Sequence, residues 1–414
     1  MRPQVMTGAP VIVWVTLIAV AFAVGADLRE LGALPIDRFP PLHGRLRVLT
    51  VTLLPAVLVA VVAVWVLPGL VLRAGFRRAL WAAFAFALAW TVALAISDDG
   101  LAAPFTHKEE YLAVLPVVGD DPLGWLRSFT EELPAYPTHV RGHPPLPVLV
   151  VWLLAAVGLP GPLPAAVLAV AVGCSASVAI ALTVRRVSGE EAARRALPYL
   201  ALTPASVWLA TTMDALFAGV AAWGVAMLVL GRSPVVRTAC AVTAGVLLGA
   251  LPYLSYGLVP FLLVPVAVGF VVRLPRQVVL PALGGAAGVS AAFAMGGFWW
   301  PAGVLATYAE WAADPGAARP YLYFLVANLA VLALLTGPAT AVGLARGPGP
   351  IVGAALVAVL ALDVSGVTRG EVERIWLPYA LWIGAAAGLA PGRGWLAAQA
   401  VTGLLLQGLV ASPW

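Results

Sequence analysis

Titratable side chains are concentrated in one stretch of this chain, residues 97–146. The stretch holds eight of the nineteen acidic residues, three of the four histidines and the single lysine, Lys108. Carboxylates and imidazoles can take a proton from a hydroxyl group or hold a substrate oxygen. Their concentration in one loop of an otherwise apolar chain predicts that chemistry takes place there.

The stretch begins with SDDG, residues 97–100, at the point where an apolar run ends. A carboxylate at such a boundary is partly desolvated and has a like charge beside it, and both effects raise a carboxyl pKa toward that of a usable base. We therefore predict Asp99 or Asp98 as the general base. The alternative is that both residues only mark a helix end in water.

The stretch ends with THVRGHPPL, residues 138–146. Gly142 and the two prolines predict a sharp turn into the next apolar run, which would hold His143 at the membrane interface, where it could bond a substrate oxygen or phosphate. The alternative is an ordinary turn with a capping histidine. Pro144 opens a run of about 15 apolar residues, which is shorter than a span and favours an interfacial or re-entrant helix.

Other polar residues of the same loop are predicted to bind substrate, namely Glu109, Glu110, Tyr111 and His139. Glu109 and Glu110, with His107, also leave a divalent metal open as a cofactor. Their spacing matches no diagnostic metal-binding motif, so no metal ligand is assigned.

Two later sites carry charge in apolar surroundings. Asp214 is isolated in a long apolar passage, and an ionisable group there must face a polar cavity or a turn. Arg369 and Arg374 are basic residues in an otherwise acidic region, and a positive pair of this kind is suited to a leaving phosphate. Alternatively, the two arginines pair locally with Glu371 and Glu373.

The composition of the 414-residue chain is 62% hydrophobic and 10% charged, which predicts a membrane protein with many spans. The arginines lie mostly in short loops between apolar runs, so the net charge of +5 indicates topology and not a nucleic-acid surface. Cys174 and Cys240 both fall in predicted spans, and no disulfide framework follows.

About thirteen transmembrane helices are expected from runs of roughly 20 apolar residues. An all-α fold of three parts follows: two N-terminal helices (1–78), a module with an outward loop at 97–163 (79–230), and further helices that complete the bundle (231–414). The predicted helices cover residues 10–26, 48–72, 79–96, 164–184, 196–213, 215–230, 238–252, 257–272, 277–298, 321–341, 350–363, 375–390 and 395–410.

Basic residues separate the two sides of this topology. If the run at 144–159 does not cross, one side holds fourteen basic residues and only the acids Glu190 and Glu191. The basic side is predicted to be cytoplasmic, and the loop at 97–163 to face outward. Four arginines in the loop at 27–47 depart from the pattern.

Taken together, these motifs resemble the GT-C superfamily of integral-membrane glycosyltransferases. The branch that contains the protein O-mannosyltransferases, the aminoarabinose transferases and actinobacterial envelope enzymes is the most similar. The matching residues are Asp98, Asp99, the HPPL motif at 143–146 and Asp214, and the resemblance covers about 81–217. Two helices precede the acidic motif here, which leaves Asp27 as a rival of Asp98 and Asp99. The FPPLHG segment at 39–44 is likewise a rival of the HPPL motif.

The resemblance implies transfer of a sugar from a polyprenyl-phosphate donor in the plasma membrane to a glycan, lipid or protein acceptor of the cell envelope. An aspartate would act as base on the extracytoplasmic face. A transporter or lipid flippase is the alternative, but it should show inverted repeats and mid-span charges. A non-catalytic assembly partner is a third reading.

Overall fold

The computed structural model describes residues 8–210, 212–390 and 392–413 and is almost entirely helical in these ranges. The α-helices of ten or more residues are Gly8–Glu30 (α1), Leu54–Arg73 (α2), Phe76–Ala95 (α3), Leu146–Ala156 (α4), Pro162–Ser188 (α5), Glu190–Ala201 (α6), Asp214–Leu230 (α7), Pro234–Leu254 (α8), Leu263–Val272 (α9), Arg276–Met295 (α10), Trp300–Ala313 (α11), Tyr321–Thr336 (α12), Pro350–Val364 (α13) and Arg393–Leu409 (α14).

Short elements connect these helices. The short α-helices are Leu115–Val118, Pro122–Ser128, Thr138–Arg141, Ser206–Leu209, Pro338–Leu344, Val372–Ile375 and Leu377–Gly384. The 3-10 turns are Val51–Leu53, Pro104–Thr106, Tyr111–Val114, Leu133–Ala135, Tyr256–Leu258, Pro260–Leu262, Pro315–Ala318 and Ala385–Leu389. Two short strands, Arg45–Leu46 and Val410–Ala411, pair antiparallel.

The prediction of an all-α membrane protein with several spans is confirmed. In the described residues, six helices are long and apolar enough to cross a membrane, or seven if one bent pair counts as a single span. The six are Gly8–Glu30, Val51–Arg73, Phe76–Ala95, Pro162–Ser188, Pro234–Leu254 and Arg276–Met295.

Several other predicted spans are interrupted. The run predicted at 321–341 bends by 104° between Thr336 and Pro338, because Gly337 has a φ of 76° and the proline ring cannot continue the helix. The run predicted at 196–213 ends as α6 at Ala201, before Pro204, and its position 211 lies outside the described residues. Pro260 likewise divides the run at 257–272 into two 3-10 turns and α9.

The bundle has two chemically different ends. At one end, the Arg185 guanidinium lies 4.3 Å from the ring centre of Phe76, and Arg194 donates to the carbonyl of Ala74 at 2.8 Å. This arginine end holds the C-termini of α2, α5, α7 and α9. The opposite, polar end holds the loop at 31–50, the loop at 97–163, Asp214 and residues 363–376.

The short helix α4 does not carry the chain from one end to the other. Helix α3 begins at the arginine end with Phe76, and α5 finishes there with Arg185 over the Phe76 ring. Helix α3 therefore ends, and α5 begins, at the polar end, and the chain between them stays at that end.

Candidate active site

A cluster of buried charged groups lies at the polar end, under the long loop at 97–163. It draws side chains from five separate segments, and most of them are less than 9% exposed. We refer to it as the buried polar cluster. Its members are Asp37, His43, Glu110, His139, His143, Asp214, Arg319, Glu371, Glu373 and Arg374.

Two buried arginines form the centre of the cluster. Arg319 donates through Nε and Nη2 to the two carboxylate oxygens of Asp37, at 3.0 and 2.9 Å. Arg374 donates to Glu371 at 3.0 Å and to Asp214 at 3.4 Å. Glu371 also lies 3.7 Å from Arg319, so one carboxylate bridges both guanidinium groups. Pairing of this kind is required because an unpaired charge is very costly to bury.

The backbone at Glu371 is strained. Its φ of 60° lies in the left-handed region, which an L-residue with a side chain rarely adopts. Burial opposes ionisation of Glu371, but the charges of Arg374, His43 and Arg319 outweigh it and lower its pKa to about 2. Glu371 is therefore an anion that fixes the position of Arg374.

Glu373 is fully buried and is held differently. Its Oε1 accepts a hydrogen bond from the backbone N–H of His43 at 3.0 Å, and its Oε2 has no hydrogen-bond partner among the described residues. Burial raises its pKa, although hydrogen bonds and the His43 charge oppose the shift. This contact joins the loop at 31–50 to the segment at 371–374.

The long loop contributes a carboxylate and histidine pair. Nδ1 of His139 lies 2.8 Å from Oε1 of Glu110, and both side chains are 5% exposed. The other oxygen of Glu110, Oε2, has no hydrogen-bond partner in the described part of the chain. The charges of Glu110 and His139 both act on Asp214, which places this pair beside the Arg374 centre.

His143 is held neutral next to the pair. Burial and the nearby Arg374 charge lower its pKa to about 3. Its Nδ1 lies 2.8 Å from the carbonyl oxygen of His139, which can only accept, so Nδ1 carries the proton and Nε2 keeps a lone pair. The Tyr111 ring packs edge-on against His143 at 5.8 Å between ring centres.

The structure brings together most of the residues that were predicted to bind substrate. Glu110, Tyr111, His139, His143, Asp214 and Arg374 meet in or beside the cluster. Glu109 instead accepts a hydrogen bond from the backbone N–H of Thr138 at 3.0 Å, and this bond lowers its pKa. It holds the turn that carries His139.

Asp98 and Asp99, the predicted bases, lie outside the cluster. Both are exposed, and Asp98 pairs with Arg47 at 2.5 Å. They stay at the rim because α3 ends just before them and the chain there turns outward through Gly100, whose φ is 86°. Their assignment as the base remains a prediction, and the buried carboxylates are now its rivals.

Arg369 also differs from its prediction. Its guanidinium donates to the carbonyls of Ala317 and Arg319, at 2.5 and 3.1 Å, and lies against the rings of Trp311 and Tyr321. These contacts tie loops together and use the Nη1 donors of the guanidinium for backbone carbonyls. Local pairing with glutamate, the alternative raised from the sequence, occurs for Arg374 and Glu371 and is not seen for Arg369 among the ion pairs of the described residues.

Three central residues, Asp37, His43 and Arg319, were not predicted as site residues. His43 belongs to the FPPLHG segment, whose likeness to the HPPL motif was the signal available in the sequence. Arg319 is an isolated basic residue on the acidic side, the same signal that pointed to Arg374. Asp37 carried no signal of its own.

No group of three or more histidine, cysteine, aspartate or glutamate side chains with the geometry of a metal site occurs within the described ranges. The cluster instead joins carboxylates to arginines, and guanidinium groups compete with a metal ion for those oxygens. What the arrangement offers is a carboxylate with a free oxygen, a neutral imidazole lone pair and a buried cation close together.

Comparison with known proteins gives limited similarity. No protein-family model and no curated protein matches the chain. Two crystal structures of ArnT from Cupriavidus metallidurans match with a TM-score of 0.40 each, one in the apo state at 18% identity and one bound to undecaprenyl phosphate at 19%. The matches cover 68% of this chain and 58% and 59% of those chains, so the chain spans less than two thirds of their length. Similarity at this level leaves function to be argued from the residues of this chain.

Proposed function

We propose that this protein is an integral-membrane glycosyltransferase of the GT-C type, which transfers a sugar from a polyprenyl-phosphate donor to an acceptor of the cell envelope. The reaction would take place at the extracytoplasmic face of the plasma membrane. The observation that carries the proposal is the buried polar cluster, in which a base and a cation meet at the polar end of a membrane-spanning bundle.

Glu110 is the base in this proposal. Its Oε2 is buried without a hydrogen-bond partner in the described residues, and its Oε1 is held by His139, so the free oxygen has a fixed direction. A positioned carboxylate can take the proton of an acceptor hydroxyl as that oxygen attacks the sugar. His139 is a positioning residue that orients Glu110. Asp99 and Asp98, suggested by the sequence, are the rival bases.

The leaving group needs a cation. As the acceptor oxygen attacks the anomeric carbon, the bond from that carbon to the phosphate oxygen breaks, and the electron pair leaves with polyprenyl phosphate. Arg374 is suited to stabilise this charge, because its guanidinium is buried and held by Glu371 and Asp214. Attack from the face opposite the phosphate inverts the anomeric configuration.

Purified protein incubated with radiolabelled polyprenyl-phosphate sugars and envelope acceptors tests the proposal. We expect transfer by the wild-type protein, a large loss in Glu110→Gln, and transfer close to wild-type in the double variant Asp98→Asn/Asp99→Asn. Glu131→Gln, an exposed glutamate of the same loop, is the matched control.

A large loss of transfer in the double variant, with transfer close to wild-type in Glu110→Gln, would instead assign the base to Asp98 or Asp99. Movement of polyprenyl phosphate across vesicles without any sugar transfer would contradict the enzyme proposal and favour a flippase.

A further inference from the structure

A long apolar groove runs between helices α8, α9 and α10, away from the buried polar cluster. Its volume is about 890 Å³, and nearly all of its lining is aliphatic, with Leu248, Val266 and Leu283 among the lining residues. The groove extends along α10 from Val279 to Ser290, which is about 16 Å of helix. That length matches the hydrocarbon thickness of a single leaflet, about 15 Å.

The three walls of the groove differ in how closely they pack. Helices α8 and α10 pack with their backbones in contact, since Gly245 and Gly249 face Ala282 and Ala286 and leave no room for larger side chains. Helix α9 has only ten residues, about 15 Å, against about 30 Å for α10. Two 3-10 turns, Tyr256–Leu258 and Pro260–Leu262, continue this wall beyond α9, and Leu262 also lines the groove.

A basic pocket continues the groove at the arginine end. This pocket has a volume of about 370 Å³ and is lined by Arg186, Arg237 and Arg273. Arg273, Leu228 and Leu274 line both the groove and the pocket, so the two spaces are adjacent. All aspartates and glutamates of the chain lie in the described residues, and none of them forms an ion pair with these three arginines.

Arg273 has an unusual backbone conformation. It terminates α9 with a φ of 53°, a position that glycine normally occupies at the end of a helix. Among the described residues, only Arg273 and Glu371 combine a side chain with a positive φ, and Glu371 belongs to the candidate active site. Strain of this kind is retained where a side chain is needed at a fixed position.

The basic pocket and the active-site cluster lie at opposite ends of α7. This helix begins at Asp214 in the cluster and ends at Leu230, next to the pocket residues Leu228 and Val229. Seventeen residues of α-helix separate the two sites by about 24 Å. A ligand in the groove is therefore not the sugar donor in its reactive position.

We propose that the groove and the basic pocket together bind one anionic phospholipid of the bilayer. The phosphate lies on Arg186, Arg237 and Arg273, whose guanidinium groups match phosphate oxygens and have no carboxylate to compete. One acyl chain lies in the groove. The continuous apolar lining argues for a lipid over free phosphate, and the length of one leaflet argues for an acyl chain over a long polyprenyl chain. This inference is independent of the glycosyl-transfer proposal.

Native mass spectrometry of the full-length protein in detergent, with phosphatidylglycerol and phosphatidylcholine of identical chains, tests the headgroup. We expect a preference for phosphatidylglycerol that the triple variant Arg186→Gln/Arg237→Gln/Arg273→Gln lowers by roughly a hundredfold, since each arginine near an anionic lipid contributes about a fivefold factor. The control is Arg77→Gln/Arg232→Gln/Arg276→Gln, which removes the same charge from exposed arginines of the same end. Equal losses in both triple variants would overturn the proposal, because the attraction would then be general.

The groove is tested separately. Ala287→Phe fills it and should weaken phosphatidylglycerol binding at least tenfold, whereas Ala292→Phe, on the same exposed helix but outside the lining, should not. Inorganic phosphate and polyprenyl phosphate are offered as competitors. Full displacement by millimolar phosphate, or a higher affinity for polyprenyl phosphate, would exclude a phospholipid as the occupant.

Arg273→Gly distinguishes binding from folding. Glycine adopts the left-handed conformation without strain, so this variant should melt at a higher temperature than wild type in lipid-free detergent, while its preference for phosphatidylglycerol falls about fivefold. A variant that gains stability and keeps the full preference would contradict the role of Arg273.

Discussion

At the polar end of the bundle, Arg319 and Arg374 are buried and each contacts two carboxylates, whereas at the arginine end Arg186, Arg237 and Arg273 line a pocket without any carboxylate partner. The same side chain therefore has two environments in one molecule. Burial requires pairing, because an unpaired charge in a low dielectric is very costly and an oppositely charged partner offsets much of that cost. Exposure at a membrane surface permits an arginine to keep its donors free for a ligand.

This difference separates two functions of charge. In the buried polar cluster the carboxylates fix the positions of the arginines. If a phosphate leaves there, as proposed, the positive charge is already in position and needs no reorganisation. At the arginine end the charges are more exposed, screened by salt and suited to reversible contact with a lipid headgroup.

Arg374→Gln should have the largest effect. It leaves Asp214 buried without its cation and Glu371 with Arg319 alone, and removing one partner of a buried pair costs about 3–5 kcal/mol of folding free energy. We expect a strongly lowered melting temperature together with loss of transfer. Arg276→Gln, at the arginine end, should change stability by no more than about 0.5 kcal/mol.

A second substitution tests whether an unpaired carboxylate causes the loss of stability in Arg374→Gln. Asp214→Asn added to Arg374→Gln removes one orphaned charge, and the double variant should recover part of the lost stability. Additive losses in thermal unfolding would mean that the two groups are not coupled and would weaken the view that carboxylates hold this arginine.

Glu110→Gln should lower the transfer rate without a comparable loss of stability. Removal of a general base costs about 10²–10⁴-fold in rate. The amide keeps the shape of the side chain, so the contact with His139 is weakened but not lost. Single-turnover measurements with saturating donor check the rate, and a change confined to donor KM would instead assign Glu110 to binding.

The pH dependence of stability tests the buried histidine. His143 has a pKa of about 3 in the folded protein against an ordinary value of 6.5, so between these values the unfolded chain binds a proton that the folded chain does not. Stability should therefore rise with pH across this window, by up to about 1.4 kcal/mol per pH unit.

His143→Gln should flatten that slope between pH 4 and pH 6, because glutamine does not titrate. His107→Gln, an exposed histidine of the same loop, should leave the slope as it is. Melting temperatures across the pH series measure both. A slope that persists in His143→Gln belongs to another group.

Composition and charge placement predicted the general fold because both depend on the solvent around each segment. Apolar runs marked the helices, and the unequal distribution of arginine marked the two ends. The breaks at Gly337 and Pro260 were missed, because a hydropathy window averages over the one residue that bends the chain. The predicted helix boundaries were therefore wrong where a single glycine or proline bends the backbone.

The candidate site was predicted only in part, because local motifs mark some of its residues and not others. Tyr111, His139, His143 and Asp214 lie in or near motifs, and the loop chemistry alone pointed to them. The contacts between Asp37 and Arg319, and between His43 and Glu373, join residues that are 282 and 330 positions apart. No local spacing encodes such pairs, and only the packed bundle reveals which acidic residues are buried.

The smallest effect is expected for Asp98→Asn, which breaks the exposed pair with Arg47. Surface ion pairs contribute about 0–1 kcal/mol, and Arg47 keeps a second contact with the carbonyl of Gln407. The change in melting temperature should be slight and should vanish in high salt, because salt already screens the wild-type pair. The same variant should retain transfer if the buried carboxylate is the base. A loss of transfer in Asp98→Asn with unchanged stability would mean that the rim takes part in catalysis, and the contrast between a reactive interior and an inert surface at the polar end would no longer hold.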